Sequence, residues 1–417
     1  MDRVEIVHLT FKPPFTTGSF NRMVGTQLEK IPGLRQAAIS YWNQPLPDNV
    51  QPDEKVILIG DNNLSLQQRA WLLAPERWRG NRFNGVTGRQ SLIYLWGVLE
   101  MLPRLRPKIV ICQDNYKFGA LLRQHINWPC RLILWQHGLS YHLPTARAAK
   151  LYSLKSFDEV CVLSRAAYRF DRERMPAYEP VVRIMPNWVD INRFKPAPDT
   201  ERRELRARWS LPQDKPIVLW LSRLVPKKGA HALLQSWPRI LRKCPNAFLW
   251  IVGSGDTVYE QYLRSLIAAA GISDSVRLQG AVNPEETHTC CQASDLFAFT
   301  SLVSEGFSLA LLEAMACGLA SVASHQASIA ETYPAESISL VRDANLADAF
   351  VKPVTSLLSD VSERTEMGRM AQQFVTENYS QEQVLAQLEL YYRQQMNLAG
   401  NHLSHHPSHH PSGGGQF

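Results

Sequence analysis

SEGFSLALLEAMACG, residues 304–318, predicts a turn that carries Glu305 and, directly after it, a short apolar helix. Ser308 can cap the start of this helix, and Gly318 supplies the left-handed residue that commonly ends one. Glu313 would lie about 7.5 Å along the helix axis from the cap. The stretch therefore predicts one carboxylate just before a helix start and a second within the helix.

The start of this helix is suited to an anion. Backbone N–H groups at Phe307, Ser308 and Leu309 would point out of it, and the helix dipole favours a diphosphate there. A carboxylate at Glu313 would repel phosphate, but it could accept both hydroxyls of a ribose. Glu305 is then left for a sugar, so the pattern indicates a site for a nucleotide-sugar.

Apolar runs rich in Val and Ile alternate with helical patterns along the whole chain, which is typical of parallel sheets covered by helices on both faces. The predicted strands cover 4–9, 56–60, 109–112, 132–136, 159–163, 182–185, 217–222, 248–252, 276–279, 296–300 and a shorter run at 321–323. We predict an α/β chain of two doubly wound, Rossmann-like domains, 1–195 and 196–380, joined at a Pro-rich break. Ligands of such sheets bind at the carboxyl ends of the strands, so the site should lie between the domains.

The 417 residues fit two domains of ordinary size, with 45% hydrophobic and 20% charged residues. No apolar run of about 20 residues is present and the N-terminus lacks the pattern of a signal peptide, so we expect a cytoplasmic protein. Seven cysteines without CxxC spacing predict buried thiols rather than a zinc site. A last helix over 381–398 could pack back on the N-terminal domain, and the His-, Pro- and Gly-rich tail, 399–417, is predicted to be disordered.

The net charge of +7 is unevenly distributed. Residues 1–195 carry 27 Lys and Arg against 16 Asp and Glu, whereas residues 196–417 carry 18 against 22. A basic first half indicates either an anionic partner, such as an acidic acceptor or the inner face of a membrane, or an ordinary solvated surface. Residues 76–89 and 168–174 interleave Arg with aromatic side chains, as a sugar-stacking or membrane-surface patch would. No nucleic-acid motif accompanies them, so we expect no nucleic-acid partner.

Two cations, Arg223 and Lys228, follow the predicted strand 217–222. An Arg can bind two phosphate oxygens at once and a Lys acts as a mobile point charge, so the pair could neutralise a departing nucleoside diphosphate. Solvated loop cations are the alternative interpretation. Lys227 is taken as a bystander.

Five segments resemble glycosyltransferase family 4 in their order and spacing: MPNWVDINRF, LSRLVPKKG, IVGSGD, RLQGAVNPEE and SDLFAFTSLVSEGFSLALLEAMACG. The resemblance covers 180–330 and implies the GT-B architecture, with two domains facing across a deep crevice, and transfer with retention of the anomeric configuration. It implies that Glu305 holds hydroxyls of the donor sugar and Glu313 the ribose. Arg223 and Lys228 match the phosphate-binding pair of the family.

Further donor residues follow from the same resemblance. Gly253 matches a glycine of the turn near the donor, and Gly280 lies in the loop whose backbone meets the nucleobase. In the first half the match is looser: Gly18 resembles the family's glycine-rich loop, and His137 falls where the family commonly has a His near the reacting carbon. Among the departures, Ser308 stands where Gly is usual.

The resemblance implies a retaining hexosyltransferase that moves a sugar from a nucleoside-diphosphate sugar, UDP- or GDP-linked, to a hydroxyl of a saccharide or lipid-linked saccharide in glycan biosynthesis. The chain has no DxD sequence and we expect neither a metal nor a cofactor. The catalytic work then falls on Glu305, His137, Arg223 and Lys228. We favour front-face transfer assisted by the diphosphate over a covalent intermediate on Glu305. A non-catalytic scaffold of the same fold, or another nucleotide-sugar enzyme such as an epimerase, remains an alternative.

Overall fold

The computed structural model describes residues 4–14, 19–44, 54–60, 89–138, 147–174 and 179–401. Within these ranges the strands of a first sheet are β1 (Ile6–Thr10), β2 (Gln36–Tyr41), β3 (Val56–Ile59), β4 (Ile109–Gln113), β5 (Arg131–Gln136), β6 (Glu159–Val162) and β7 (Val182–Ile184). Those of a second sheet are β8 (Ile217–Leu221), β9 (Phe248–Val252), β10 (Val276–Gly280), β11 (Leu296–Phe299), β12 (Ala320–Ser324) and β13 (Ser339–Val341).

Helices cover both sheets. Those of the first half are α1 (Ser19–Lys30), α2 (Arg89–Leu105), α3 (Gly119–His125), α4 (Arg147–Leu154) and α5 (Arg165–Arg174). The second half has α6 (Asp199–Arg208), α7 (Ala230–Lys243), α8 (Thr257–Ala269), α9 (Thr287–Gln292), α10 (Leu309–Ala316), α11 (Ala327–Thr332), α12 (Val351–Ser359), α13 (Val361–Tyr379) and α14 (Gln381–Asn401). The predicted α/β class, with two doubly wound sheets, is confirmed.

The order of the strands places a crevice at the carboxyl edge of each sheet. The first sheet runs β3-β2-β1-β4-β5-β6-β7 and the second β10-β9-β8-β11-β12-β13, and all described pairings are parallel. The chain therefore changes direction across each sheet at β1 and at β8. Ligands bind where loops diverge at such switch points.

Two strands were absent from the sequence prediction. Strand β2, QAAISY, is almost wholly buried between β1 and β3 but has only one β-branched residue, so its composition does not indicate a strand. Strand β13 is three residues long and lies at the edge of the second sheet. Both extend the predicted sheets without changing their topology.

The last helix crosses from one sheet to the other. Backbone hydrogen bonds join Val189 to Tyr379 and Gln381, at 2.9 and 2.8 Å. The two segments of chain that connect the sheets therefore lie side by side. From there α14 packs on the first sheet, where Leu388 and Tyr392 are fully buried. The helix continues to Asn401, three residues beyond the predicted end at 398, because Ala399 is also buried.

Several features lie outside the described residues: Gly18, most of the basic stretch 76–89, and the tail beyond 401. The seven cysteines are all described; they are free thiols, and only Cys244 among them is not buried. None of the helices in the described ranges is long and apolar enough to cross a bilayer.

Candidate functional site

Loops at the carboxyl edge of the second sheet are joined by backbone contacts. The amide of Leu302 donates to the carbonyl of Lys227 at 2.9 Å, and the hydroxyl of Thr300 donates to the carbonyl of Lys228 at 3.0 Å. Gly229 adopts φ +71°, and a Cβ there would lie 2.0 Å from the carbonyl oxygen of Thr300. The two hydrogen bonds therefore hold the loop that follows β8 against the end of β11. Glycine is needed at position 229 because any side chain there would collide with the carbonyl of Thr300.

This contact brings Lys228 to Glu305. The ammonium Nζ lies 2.6 Å from Oε1 of the carboxylate, and the side chains are 15% and 19% exposed. The two residues come from loops 77 positions apart in the sequence. The arrangement places an ammonium group and a carboxylate together at the carboxyl edge of the sheet, where both are partly accessible to solvent.

The turn that carries Glu305 is fixed by Gln326, a residue just after β12. Its amide oxygen accepts from the backbone N–H of Glu305 at 2.8 Å, and its NH2 group donates to the carbonyls of Ser301 and Val303 at 3.1 and 2.9 Å. Ser328 donates to the carbonyl of Glu305 at 2.5 Å. Gln326 is buried, so these bonds are shielded from water and orient the carboxylate.

Helix α10 begins at Leu309, one residue after the cap Ser308, whose hydroxyl accepts from the N–H of Leu311 at 3.4 Å. Phe307 precedes the cap and its ring packs on Tyr379 at 5.4 Å between centroids. Leu309 packs against the cores of both sheets. At Phe307, Ser308 and Leu309, backbone groups rather than apolar side chains are therefore suited to contact a donor. That role stays a prediction.

Glu313 lies on α10, partly buried. Burial raises the pKa of this carboxyl to about 7, while Arg22 and Arg193 act to lower it. Arg22 belongs to α1 in the first half of the chain, and Arg193 to the connection between the sheets. Two cations from outside the second sheet are thus close enough to influence Glu313.

The predicted donor-site glycines, Gly253 and Gly280, lie next to the loop that carries Arg223. The N–H of Gly253 donates to the carbonyl of Gly280 at 2.8 Å, and both glycines have positive φ, +137° and +82°. A Cβ on Gly253 would lie 1.8 Å from the carbonyl oxygen of Ser222, immediately before Arg223. Arg223 itself is exposed, on the loop after β8. The structure therefore groups these residues at the ends of β8, β9 and β10.

His137 follows β5 at the carboxyl edge of the first sheet. Its Nε2 lies 2.6 Å from Oε1 of Gln113, its backbone N–H donates to Asp114 at 2.7 Å, and its ring stacks on Trp135 at 6.0 Å. Burial lowers the pKa of His137, and the Asp114 carboxylate opposes that effect. The imidazole is therefore held by neighbours on two strands.

The two sheets meet at Gly306, between Glu305 and the start of α10. A Cβ on Gly306 would lie 3.5 Å from the carbonyl oxygen of His137, and Ser164, after β6, donates to the carbonyl of Gly306 at 3.0 Å. These contacts place His137 of the first half beside the turn that carries Glu305, whereas Gly18 lies outside the described ranges. Two buried amides that orient them, Gln113 and Gln326, have no motif that could have revealed them.

Part of the basic surface of the first half is neutralised. Stretch 168–174 lies in α5, where Arg169 pairs with Glu331 and Arg172 with Glu179.

In the described part of the chain, no group of three or more His, Cys, Asp or Glu is arranged to hold a metal ion.

Known proteins resemble this chain in sequence and in fold. Residues 201–374 match the model of the family described as glycosyl transferases group 1. A GDP-mannose-dependent alpha-(1-6)-phosphatidylinositol monomannoside mannosyltransferase of Mycolicibacterium smegmatis is 32% identical over 318 residues, 74% of this chain and 78% of the relative. A protein of the same description from Mycobacterium tuberculosis (strain CDC 1551 / Oshkosh) is 33% identical over 215 residues, so the match spans 50% of this chain and about half, 55%, of that relative.

The fold extends over nearly the whole molecule. A sucrose-phosphate synthase structure from Thermosynechococcus elongatus superimposes with a TM-score of 0.74 and 19% identity, covering 95% of this chain and 100% of that one. At this identity the likeness concerns the fold alone. Together, the family match, the mycobacterial relative aligned over most of its length and the two facing sheets show that this chain belongs to the group 1 glycosyl transferases and has the GT-B fold.

Proposed function

We propose that the protein transfers mannose from GDP-mannose, with retention of configuration and without a metal ion, to a hydroxyl of a lipid-linked saccharide. The nature of the donor and of the acceptor is supported by the mycobacterial relatives at 32% and 33% identity, whose descriptions include both. A UDP-linked donor and a free saccharide acceptor are the alternatives. The class of reaction follows from the family, whereas these finer assignments rest on the arguments below.

The ion pair between Lys228 and Glu305 is the observation that carries the proposal. A donor diphosphate would attract the ammonium and leave the carboxylate to accept hydroxyls of the sugar. Lys228 would exchange one ion pair for another, whereas Glu305 would exchange its ion pair for hydrogen bonds from sugar hydroxyls.

Negative charge grows on the diphosphate as the bond to the sugar breaks. Lys228, the exposed Arg223 and the start of α10 lie at the same edge of the second sheet and could share that charge. Preorganised donors of this kind typically contribute ~3–4 kcal/mol each to the stability of a transition state. This supports a metal-independent reaction, in agreement with the absence of a DxD sequence.

Retention requires the acceptor hydroxyl to approach the face from which the diphosphate leaves. We assign the removal of its proton to the diphosphate, with Glu305 and His137 holding the sugar between the two sheets. Glu313 would accept the ribose hydroxyls, which its ionised form does best. Because its pKa is about 7 before the donor binds, nucleotide affinity should rise with pH through that value.

The acceptor would approach from the first half of the chain, whose net charge is positive. We propose a peripheral contact with an anionic membrane surface for this half. The ion pairs of α5 leave less free charge there than the sequence predicts, so residues 76–88 would have to provide much of the attraction. Sedimentation with vesicles of anionic and of neutral phospholipid, at low and high salt, tests this contact.

The test of the proposal is transfer of labelled mannose from GDP-mannose to a total lipid extract, with EDTA or Mg²⁺, followed by determination of the anomer formed. Glu305→Gln should abolish transfer while leaving the fold intact, and Glu336→Gln, at an exposed carboxylate outside the crevice, serves as the matched control. An inverted product would contradict retention, and a requirement for Mg²⁺ would contradict the roles of Arg223 and Lys228. Nucleotide binding without transfer to any acceptor would favour the scaffold, and conversion of the donor sugar itself would favour an epimerase.

A further inference from the structure

A line of buried hydrogen bonds crosses the first sheet and ends on His137. It starts at Gln36 on β2, continues through His8 on β1 and reaches Gln113 at the end of β4. Oε1 of Gln36 lies 2.9 Å from Nε2 of His8, Nδ1 of His8 lies 3.3 Å from Nε2 of Gln113, and Oε1 of Gln113 lies 2.6 Å from Nε2 of His137. Gln36, His8 and Gln113 are at most 5% exposed, so bulk water does not compete for these contacts.

A single backbone carbonyl determines the direction of the first two bonds. Nε2 of Gln36 lies 3.0 Å from the carbonyl oxygen of Gln27. A carbonyl can only accept, so the Gln36 atom facing it must be the NH2 group, and the atom facing His8 must be the amide oxygen. Nε2 of His8 must therefore carry a hydrogen.

The same logic fixes the remaining bonds. Burial lowers the pKa of His8 to about 4, so the ring is neutral at physiological pH and its Nδ1 accepts. Gln113 must turn its NH2 group toward His8 and its oxygen toward His137. Nε2 of His137 then carries the hydrogen, placed there by a carbonyl four hydrogen bonds away.

Both ends of the line are held in place. Tyr392 of α14, fully buried, donates to Oε1 of Gln27 at 2.5 Å, and its ring meets that of His8 edge-on at 6.2 Å. At the other end the imidazole of His137 is stacked on Trp135 with an angle of 7° between the planes. Neither the first amide nor the last ring can turn without breaking a buried contact.

We propose that His8 and Gln113 are positioning residues that hold His137 as its Nε2–H tautomer and thereby fix the orientation of its ring at the crevice. This rests on the proposed function, in which His137 holds the sugar. If these hydrogen bonds served only to stabilise the fold, it would be enough for each buried group to have a partner. The direction of donation matters for His137 because it decides which ring nitrogen donates and which accepts.

The test is the tautomer of His137, read from nitrogen chemical shifts in ¹⁵N-histidine-labelled protein and assigned with His137→Ala. The reference is His125, which is exposed and whose Nδ1 lies 2.8 Å from the carbonyl oxygen of Leu121; as a neutral ring it must carry its hydrogen on Nδ1, the opposite tautomer. In His8→Phe, of similar shape, the amide of Gln113 is free to turn. We expect the Nδ1–H form of His137 to appear, and kcat to fall about 10-fold to 100-fold with the KM for donor within ~3-fold.

His125→Phe is the matched control and should change neither the tautomer of His137 nor kcat. If His8→Phe does not fold, Gln113→Leu removes the link next to His137 and should give the same two effects. A His137 tautomer that is unchanged in a folded variant would overturn the proposal, and so would a changed tautomer with undiminished kcat. Loss of the proposed function is distinguishable, because a wild-type protein without transfer activity still reports the tautomer.

Discussion

Replacing Glu313 by glutamine should stabilise the ligand-free protein above neutral pH. Burial raises the pKa of this carboxyl from 4.5 to about 7, against the opposing effect of Arg22 and Arg193. A carboxyl shifted in this direction contributes stability that is fully present below pH 4.5 and is lost as the pH rises through about 7. Glutamine is neutral at every pH and does not incur this loss.

The size of the effect follows from the shift in pKa. From 4.5 to about 7, at about 1.36 kcal/mol for each unit, the upper limit is ~3 kcal/mol in the free energy of unfolding. Glu313 is partly accessible, so solvent screening reduces this, and we expect ~1–2 kcal/mol. For a domain of this size that corresponds to a rise in Tm of ~2–8 °C.

The assay is scanning calorimetry of the wild type, Glu313→Gln and the exposed control Glu336→Gln at about pH 4 and about pH 8. Wild type and Glu313→Gln should melt together at the lower pH, where Glu313 is protonated, and separate at the higher pH. Glu336→Gln should follow the wild type at both. An equal difference between Glu313→Gln and wild type at the two pH values would refute the reasoning, because the penalty would then not come from ionisation.

Lys228→Met should slow transfer by a factor of ~10²–10³ because it removes a cation from the departing diphosphate; initial rates check this against Lys227→Met, at the exposed neighbour, which should stay near the wild-type rate. Gln326→Leu leaves one N–H and two carbonyls of the turn that carries Glu305 without their partner, so the free energy of unfolding should fall by ~1–3 kcal/mol, and an unchanged denaturation midpoint would count against that role. Gly253→Ala would place a Cβ 1.8 Å from a carbonyl oxygen at φ +137° and should cost more than ~2 kcal/mol by thermal melting. Gly271→Ala, at φ +63° with nothing within 4 Å of the new Cβ, should cost only ~1 kcal/mol.

Local patterns were enough to predict the capped helix that carries Glu313. Ser308, Glu313 and the glycine that ends α10 are within a few residues of each other, so helix geometry alone relates them. The location of Lys228 and Glu305 at one edge of the sheet follows from topology, because both follow strands of one parallel sheet and such strands end at the same edge. The ion pair between them was not predicted.

The remaining parts depend on contacts between distant segments. Gln113 and Gln326 act through bonds to residues 24 and 21 positions away, and their role follows from the register of neighbouring strands, which composition does not specify. Arg22 approaches Glu313 from α1 of the first half. Gly18, four positions earlier, was expected to contact the donor, but no pattern singled out Arg22 itself. Strand β2 was missed for a related reason: Ala, Ser and Gln form a strand there because both of its neighbours bury it.

The most direct test of the nucleotide-sugar site is the Tm of the protein with GDP, UDP, ADP, CDP and dTDP, each with and without Mg²⁺. Binding at 100 times the dissociation constant stabilises a protein by ~2.7 kcal/mol. We predict a shift that is selective for GDP, independent of Mg²⁺ and lost in Glu313→Gln. The absence of a shift with any nucleotide in the wild type, or a shift that Glu313→Gln retains in full, would contradict the assignment of this crevice to the donor.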